Sequence, residues 1–265
     1  MRRIFSEPEL ERYSRQIILD QIGHKGQDKL CSGKVLIIGA GGLGSPAALY
    51  LAAAGVGTIG IVDQDSVGLS NLQRQIMHGE QDIGSPKVES ANRAVKRINA
   101  GVAVRTINRR VTAAAILELL AGYDFVIDAT DNFPAKFLIN DACVKTRIPF
   151  SHAGVIRFFG QLMTVVPGKS ACYRCIFNSL PPREAAPTCS EAGILGTVAG
   201  IVGTLQATEA IKFLTGAGSV LLNSLLTFDA LSMDFRKIQI KKNDSCAVCS
   251  IDPANIELKD EIESP

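Results

Sequence analysis

Apolar positions along this chain follow two rhythms that alternate from residue 34 onward. Positions 35–38, 58–62 and 125–129 are short, continuous, β-branched runs, the pattern of strands covered on both faces. Between the first two, Ala47, Ala48, Leu49, Leu51 and Ala52 make an apolar, small-residue helix that Gly55 can end. Val88, Ala91, Val95 and Ile98 line one face of a helix over 86–99, with Pro86 in its first turn. A strand over 102–111, a short helix over 113–121, a helix running to about Thr146 and a strand near 149–153 continue the series. The β-α-β-α-β alternation from 34 to 153 predicts an α/β, Rossmann-like, doubly wound and mostly parallel sheet. Upstream, Ser6 with Glu9 fits a capping box opening a helix over 7–19, with Leu10, Tyr13 and Ile17 on one face. Downstream, 160–166 and 221–242 alternate with polar residues, which predicts antiparallel strands added to that sheet. A long apolar helix near 194–214 lies between them, and its Gly196, Gly200 and Gly203 suit close packing in a core.

Composition narrows the class. With 265 residues, 46% hydrophobic, 20% charged and a net charge of +2, the chain reads as a soluble globule with no nucleic-acid or membrane surface. A chain of this length can bury about three-quarters of its unfolded surface. The opening MRRIFSEPEL has no apolar core behind its arginines, and the long helix carries Gln206, Glu209 and Lys212, so a cytoplasmic location is expected. No repeat or linker divides the chain. The expectation is one domain over 1–250, followed by an acidic, solvated tail over 251–265 with five acids and one lysine.

The candidate chemistry gathers in two places. Gly39, Gly41 and Gly44 stand in GxGxxG spacing between a buried strand and a helix. Such a turn brings backbone close to a phosphate, and a helix N-terminus favours the negative charge. Asp63, about 20 residues on, is placed to accept from ribose hydroxyls. The polar loop over 66–87 is long enough to suggest a functional role. Asp63, Asp65, Asn71, Arg74, Lys87 and Asp131 all stand at or after strand ends, where doubly wound sheets bind ligands. An NAD-linked dehydrogenase needs the first acid but not two further cations and a second acid. A nucleotide triphosphate matches them better, with Arg74 and Lys87 on phosphates and Asp131 on Mg²⁺. The second place is Cys172, Cys175, Cys246 and Cys249, two CxxC pairs that together make the four-thiolate set of a structural Zn²⁺ site. The other three of the seven cysteines divide into Cys31 and Cys143, expected to be inert, and Cys189 at the end of a Pro-rich loop. His24, His78 and His152 read as structural, and Arg15, taken alone, as a solvated helix arginine.

Taken together, Arg12-Tyr13-Ser14-Arg15-Gln16, the run from Gly39 to Gly44, Asp63-x-Asp65, the stretch Ser70 to Gln75, Pro86-Lys87, Thr130-Asp131-Asn132, both CxxC pairs and Thr188-Cys189 closely resemble the ThiF/MoeB/HesA family. The resemblance runs over about 7–250 in unbroken order. It implies a homodimer in which each subunit binds MgATP and adenylylates the C-terminal Gly-Gly carboxylate of a ubiquitin-fold sulfur carrier, for thiamine or molybdopterin synthesis. By position, Gly42 approaches the phosphates and Asp63 the ribose. Asn71, Arg74, Gln75 and Lys87 hold the triphosphate, Asp131 holds the magnesium, and Arg15 reaches into the partner subunit's site. Cys189 matches the cysteine that some relatives join to the activated carrier. Lys136 departs from the arginine that many relatives place five residues after the metal-binding aspartate, which bears on a phosphate or carrier contact. No rhodanese-like extension follows the core, so a separate persulfide donor, a cysteine desulfurase or rhodanese, is expected. A non-catalytic carrier-binding scaffold is the remaining alternative.

Overall fold

A computed structural model describes residues 3–182 and 189–260. An eight-stranded sheet organises it, in the order β3-β2-β1-β4-β5-β6-β7-β8. The parallel half comprises β1 (Lys34–Ile38), β2 (Thr58–Val62), β3 (Ala103–Ile107), β4 (Phe125–Asp128) and β5 (Phe150–Ile156). The strands β6 (Phe159–Val165), β7 (Ser224–Asp229) and β8 (Asp234–Gln239) extend it antiparallel. The sequence-predicted architecture is therefore the one observed, with the strand over 102–111 trimmed to β3 and 221–242 resolved into a hairpin.

Why the strands are apolar throughout follows from their two faces. In β1, Val35 and Ile37 point into one core, and Leu36 and Ile38 into the other. The first core is covered by α2 (Gly23–Ser32), α3 (Gly44–Ala54), α4 (Lys87–Ile98) and α8 (Gly196–Thr215). The second is covered by α5 (Ile116–Leu120) and α6 (Phe133–Thr146). Helix α1 (Glu7–Ile17) starts at the capping box of Ser6 and Glu9, as its sequence predicts, and seats Tyr13 in the core. Its neighbour α2 is not visible in the apolar pattern. It is held instead by buried polar contacts, with Gln27 Nε2 donating to the Ala54 carbonyl at 3.0 Å.

Helix α8 lies directly over the sheet and the loops at its upper edge. A methyl on Gly196 would fall 2.2 Å from the Gln73 carbonyl oxygen, and one on Gly203 would fall 2.2 Å from that of Leu43. Two of the three helix glycines thus permit the expected close packing, while Gly200 faces open space. No helix among the described residues is long and apolar enough to cross a membrane.

The segment past Cys249 departs from expectation. Ile256 is only 4% exposed, against the second core. Lys145 Nζ, on α6, donates to the carbonyls of Pro253, Ala254 and Ile256 at 2.8 to 3.2 Å. The backbone N–H of Ala113 reaches Asp260 Oδ1 at 2.8 Å. Residues 252–260 are therefore a docked strap and not a solvated tail; 261–265 lie outside the described residues. One apolar side chain and one lysine donating to three carbonyls outweigh the acidic composition. Ile256→Ala is expected to cost about 2 kcal/mol, read as a lower denaturant midpoint at unchanged slope.

Candidate nucleotide site and metal centre

The strand order reverses direction between β1 and β4, and ligands of open α/β sheets bind outside the strand ends at such a point. The glycine turn follows β1, Asp63 follows β2, and Asp131 lies just beyond β4. Gly39 has φ +104°, and a Cβ there would lie 2.6 Å from the Ala129 carbonyl oxygen, so only glycine fits. A Cβ on Gly44 would strike the Gly39 carbonyl oxygen at 1.9 Å, which is why the helix can begin so close to the strand. Gly41 and Gly42 lie under the following loop. Gln75 Nε2 is 3.7 Å from where a Gly41 Cβ would be, and Arg74 Cγ is 3.5 Å from that of Gly42.

That loop is well tied. The Val67 N–H donates to the Ser85 carbonyl and the Gly84 N–H to that of Val67, both at 2.9 Å. Asn71 Oδ1 accepts from the Gly68 N–H at 3.1 Å, while the Asn71 carbonyl accepts from the N–H groups of Arg74 and Gln75. His78 props the glycine turn from below, its Nε2 3.0 Å from the Ala40 carbonyl and its Nδ1 2.8 Å from Ser90 Oγ. Burial lowers its pKa below the usual imidazole value. It is structural, as its sequence context suggests.

Asp63 braces the same turn. Its Oδ2 accepts from the Ala40 N–H and its Oδ1 from the Asp65 N–H, each at 2.8 Å. Carboxylate oxygens accept more than one hydrogen bond, so ribose hydroxyls can still be received. Lys87 opens α4 and pairs with Asp65 at 2.9 Å. Among the described residues, two buried side-chain oxygens near the turn lack partners: the hydroxyl of Ser45, in the first turn of α3, and Gln75 Oε1, in the following loop. Unpaired buried oxygens at a helix N-terminus are an arrangement that a polar ligand completes. The donor set and the close backbone fit a nucleoside polyphosphate.

Asp131 is exposed, and its carboxylate has no hydrogen bond or ion pair among the described residues. A lone free carboxylate beside a phosphate cradle is the usual protein share of a Mg²⁺ shell. Its neighbour Asp128, not singled out from sequence, is fully buried. Burial pushes the Asp128 carboxyl up, but Lys136, His152 and Thr130 more than offset this and hold it at about 2. Lys136 therefore faces inward. Its Nζ reaches Asp128 Oδ2 at 3.4 Å and the Ala153 carbonyl at 2.6 Å, with the side chain only 7% exposed. The expected bearing of Lys136 on a phosphate or carrier contact gives way to a buried ion pair, visible only once α6 is packed on β4 and β5.

Arg15 is exposed on α1, away from any described ion pair. Cys189 opens the short helix α7 (Cys189–Ala192); its thiol, Thr188 and the rest of 183–188 lie outside the described residues. Cys143 is buried and Cys31 half-buried, and burial raises the pKa of both thiols, in line with their expected inertness.

Cys172, Cys175, Cys246 and Cys249 converge, all four sulfurs lying within 4.8 Å of one another. The Sγ separations are 4.0 Å for 172–175, 3.6 Å for 172–246 and 3.4 Å for 175–249. Tetrahedral Zn–S bonds of about 2.3 Å place sulfurs roughly 3.8 Å apart, so the donor set fits zinc. The Asn243 N–H donates to Cys175 Sγ at 3.5 Å, a typical outer contact to a thiolate. The first CxxC is clamped to α6, since Arg174 forks onto Asp141 (Nε to Oδ1 2.8 Å, Nη2 to Oδ2 2.7 Å) and the Tyr173 N–H donates to Asn140 Oδ1 at 2.8 Å. Sequence placed all four cysteines correctly; their 70-residue gap is bridged by the antiparallel half of the sheet.

A glycine turn at a sheet switch point, a free acid after β4 and a closed four-cysteine centre define an α/β nucleotide-binding protein, and this chain belongs to the ThiF family, whose model matches residues 13–248. It is similar to the "SAMP-activating enzyme E1" of Haloferax volcanii, at 46% identity over 91% of this chain and 89% of that protein. The "Sulfur carrier protein adenylyltransferase" of Thermus thermophilus matches at 42% identity over 97% of this chain and 96% of that protein. "Adenylyltransferase and sulfurtransferase MOCS3" of Sus scrofa is 45% identical over 96% of this chain, which spans 56% of that longer protein. Among solved structures, Escherichia coli MccB with ATP superposes with a TM-score of 0.82 at 25% identity, over 91% of this chain and 75% of that one.

Proposed function

We propose that this chain is a nucleotidyltransferase that uses ATP to adenylylate the C-terminal Gly-Gly carboxylate of a ubiquitin-fold sulfur carrier. What supports the reading is the glycine turn at the sheet switch point, with Arg74 packed over Gly42, Lys87 paired with Asp65 and an exposed Asp131 just after β4. An NAD-linked oxidoreductase would leave those cations and that acid without work, and the printed names of the relatives disfavour it. They disfavour a non-catalytic scaffold as well.

The physical problem is repulsion between a carboxylate and a triphosphate. The turn backbone and the N-terminus of α3 receive the phosphates, and the Ser45 hydroxyl can donate to a phosphate oxygen. Asp63 orients the ribose while holding the turn. Arg74 and Asn71, presented by the tied loop, and Lys87, released from exposed Asp65 by a stronger anion, offset the triphosphate charge. Asp131 would hold a magnesium ion, which would supply further positive charge at the phosphates. Arg15 acts across a homodimer on the partner's nucleotide. A carboxylate oxygen of the carrier then forms a bond to the α-phosphorus as the bond to the β-phosphate bridge breaks. Pyrophosphate leaves with that electron pair, and no protein nucleophile is needed. Zinc, held by the four thiolates with no open position, serves the fold. A separate persulfide donor, a cysteine desulfurase or rhodanese, supplies sulfur afterwards, with Cys189 as the candidate for joining the carrier. The carrier serves thiamine or molybdopterin synthesis, and the location is the cytoplasm.

The test is to incubate the protein with MgATP and each Gly-Gly carrier of both pathways and to weigh the carrier. One carrier is expected to gain the mass of AMP with release of pyrophosphate. If none gains it, the reading fails.

A further inference from the structure

Asp131 is free, yet the chain around it is not. From 128 to 132 the backbone leaves β4 and enters α6, and both ends of that turn are pinned. At the near end Asp128 Oδ1 accepts from the Thr130 N–H at 3.1 Å and from Thr130 Oγ1 at 2.6 Å. At the far end Asn132 Oδ1 accepts from the Ala135 N–H at 3.0 Å, capping α6. The far anchor is an ordinary helix cap. The near anchor is a carboxylate with 0% exposure, paired with a lysine that is nearly as buried.

A buried ion pair of this kind is a poor source of stability, because desolvation offsets most of the attraction. What it supplies here is direction. Asp128 Oδ2 accepts from His152 Nδ1 at 2.8 Å, Lys136 Nζ straddles both carboxylate oxygens at 3.4 and 3.5 Å, and Oδ1 also takes the two Thr130 bonds, so the carboxylate is held in one orientation from three sides. The tilted His152 ring is fixed against Tyr173, centroid to centroid 4.2 Å. Burial, with the Lys136 charge, lowers the His152 pKa from its ordinary value, against the raising effect of the Asp128 bond. The Gln206 amide on α8 donates to the Asp128 carbonyl at 2.8 Å, fixing the backbone as well.

We propose that Asp128 and Lys136 are positioning residues that set the Thr130–Asn132 turn, and through it the carboxylate that receives the metal–nucleotide complex. The inference rests on the nucleotide reading above but not on the identity of the acyl acceptor. Groups that orient a metal ligand from behind typically matter tenfold to a hundredfold in metal affinity.

The test uses Mn²⁺ with ATP on the full chain, followed by water-proton relaxation, alongside thermal unfolding. The charge-neutral pair Asp128→Asn with Lys136→Met is expected to stay folded and to weaken Mn·ATP binding about tenfold. Lys136→Arg, which preserves the charge, is expected to stay within about twofold of the unsubstituted chain. Wild-type affinity in the folded double variant would overturn the proposal. Should that variant not fold, Thr130→Val removes only the 2.6 Å hydroxyl bond. It is expected to cost about threefold, and no loss there would overturn the proposal equally. Failure of the unsubstituted chain to bind Mn·ATP would overturn it too. Binding without any carrier-dependent pyrophosphate release would instead remove the adenylylation reading and leave the positioning result intact.

Discussion

Asp131→Ala is expected to reduce carrier-dependent ATP–pyrophosphate exchange by at least ~10²-fold while leaving the fold intact. The size follows from losing a metal-borne charge where negative charge builds up in the transition state. The fold should survive because this carboxylate is exposed and makes no hydrogen bond among the described residues. Arg15→Ala should produce a comparable loss for a different reason, since the guanidinium lies on α1 and is proposed to serve the partner's site. Mixing the two variants separates the roles. A heterodimer of one Arg15→Ala and one Asp131→Ala subunit has one site lacking both groups and one site complete. Exchange should therefore return to about half the unsubstituted level per dimer. If verified heterodimers show no recovery, Arg15 serves its own subunit's site, and the cross-subunit role is lost.

The second large effect concerns the cysteine centre. Cys246→Ser, or prolonged chelation, is expected to cost on the order of 4 kcal/mol and to lower Tm by roughly 10 °C in a chain of this size. The four thiolates join the turn after β6 to the segment after β8, so the metal closes a loop that no other covalent link restrains. Elemental analysis should give one zinc per chain, falling to none in the variant. Because the shell is closed, zinc loss should alter stability before it alters the ATP KM. A well-folded, metal-free protein of unchanged Tm would refute the assignment.

Much of this was legible in the residues. The runs at β1, β2 and β4 are apolar at almost every position because helices cover both faces, with Lys34, Thr58 and Asp128 only at the strand ends. Gly39 and Gly44 were legible because only a residue without Cβ permits the strand-to-helix approach they occupy. Helix α2 was not, since GHKGQDKLCS offers only one large apolar anchor, Leu30, and completes its buried face with Gly26 and the amide of Gln27. Nor was the strap at 252–260, where a single Ile256 and the distant Lys145 decide the outcome against a run of acids. Asp128 offered one faint signal, an acid ending an otherwise apolar strand. The motif ties Lys136 to a phosphate or carrier contact, whereas folding turns it inward onto Asp128 and the Ala153 carbonyl.

The sequence alone determined the alternation of strand and helix, the glycine turn and the four cysteines of the cluster, because each depends on residue type at short spacing. Tertiary structure alone decided which of two neighbouring acids is sealed and which is free. Asp128 finds its partners 8 and 24 residues away, on α6 and β5, while Asp131 finds none among the described residues. That difference is one of long-range burial and pairing, which local pattern does not encode.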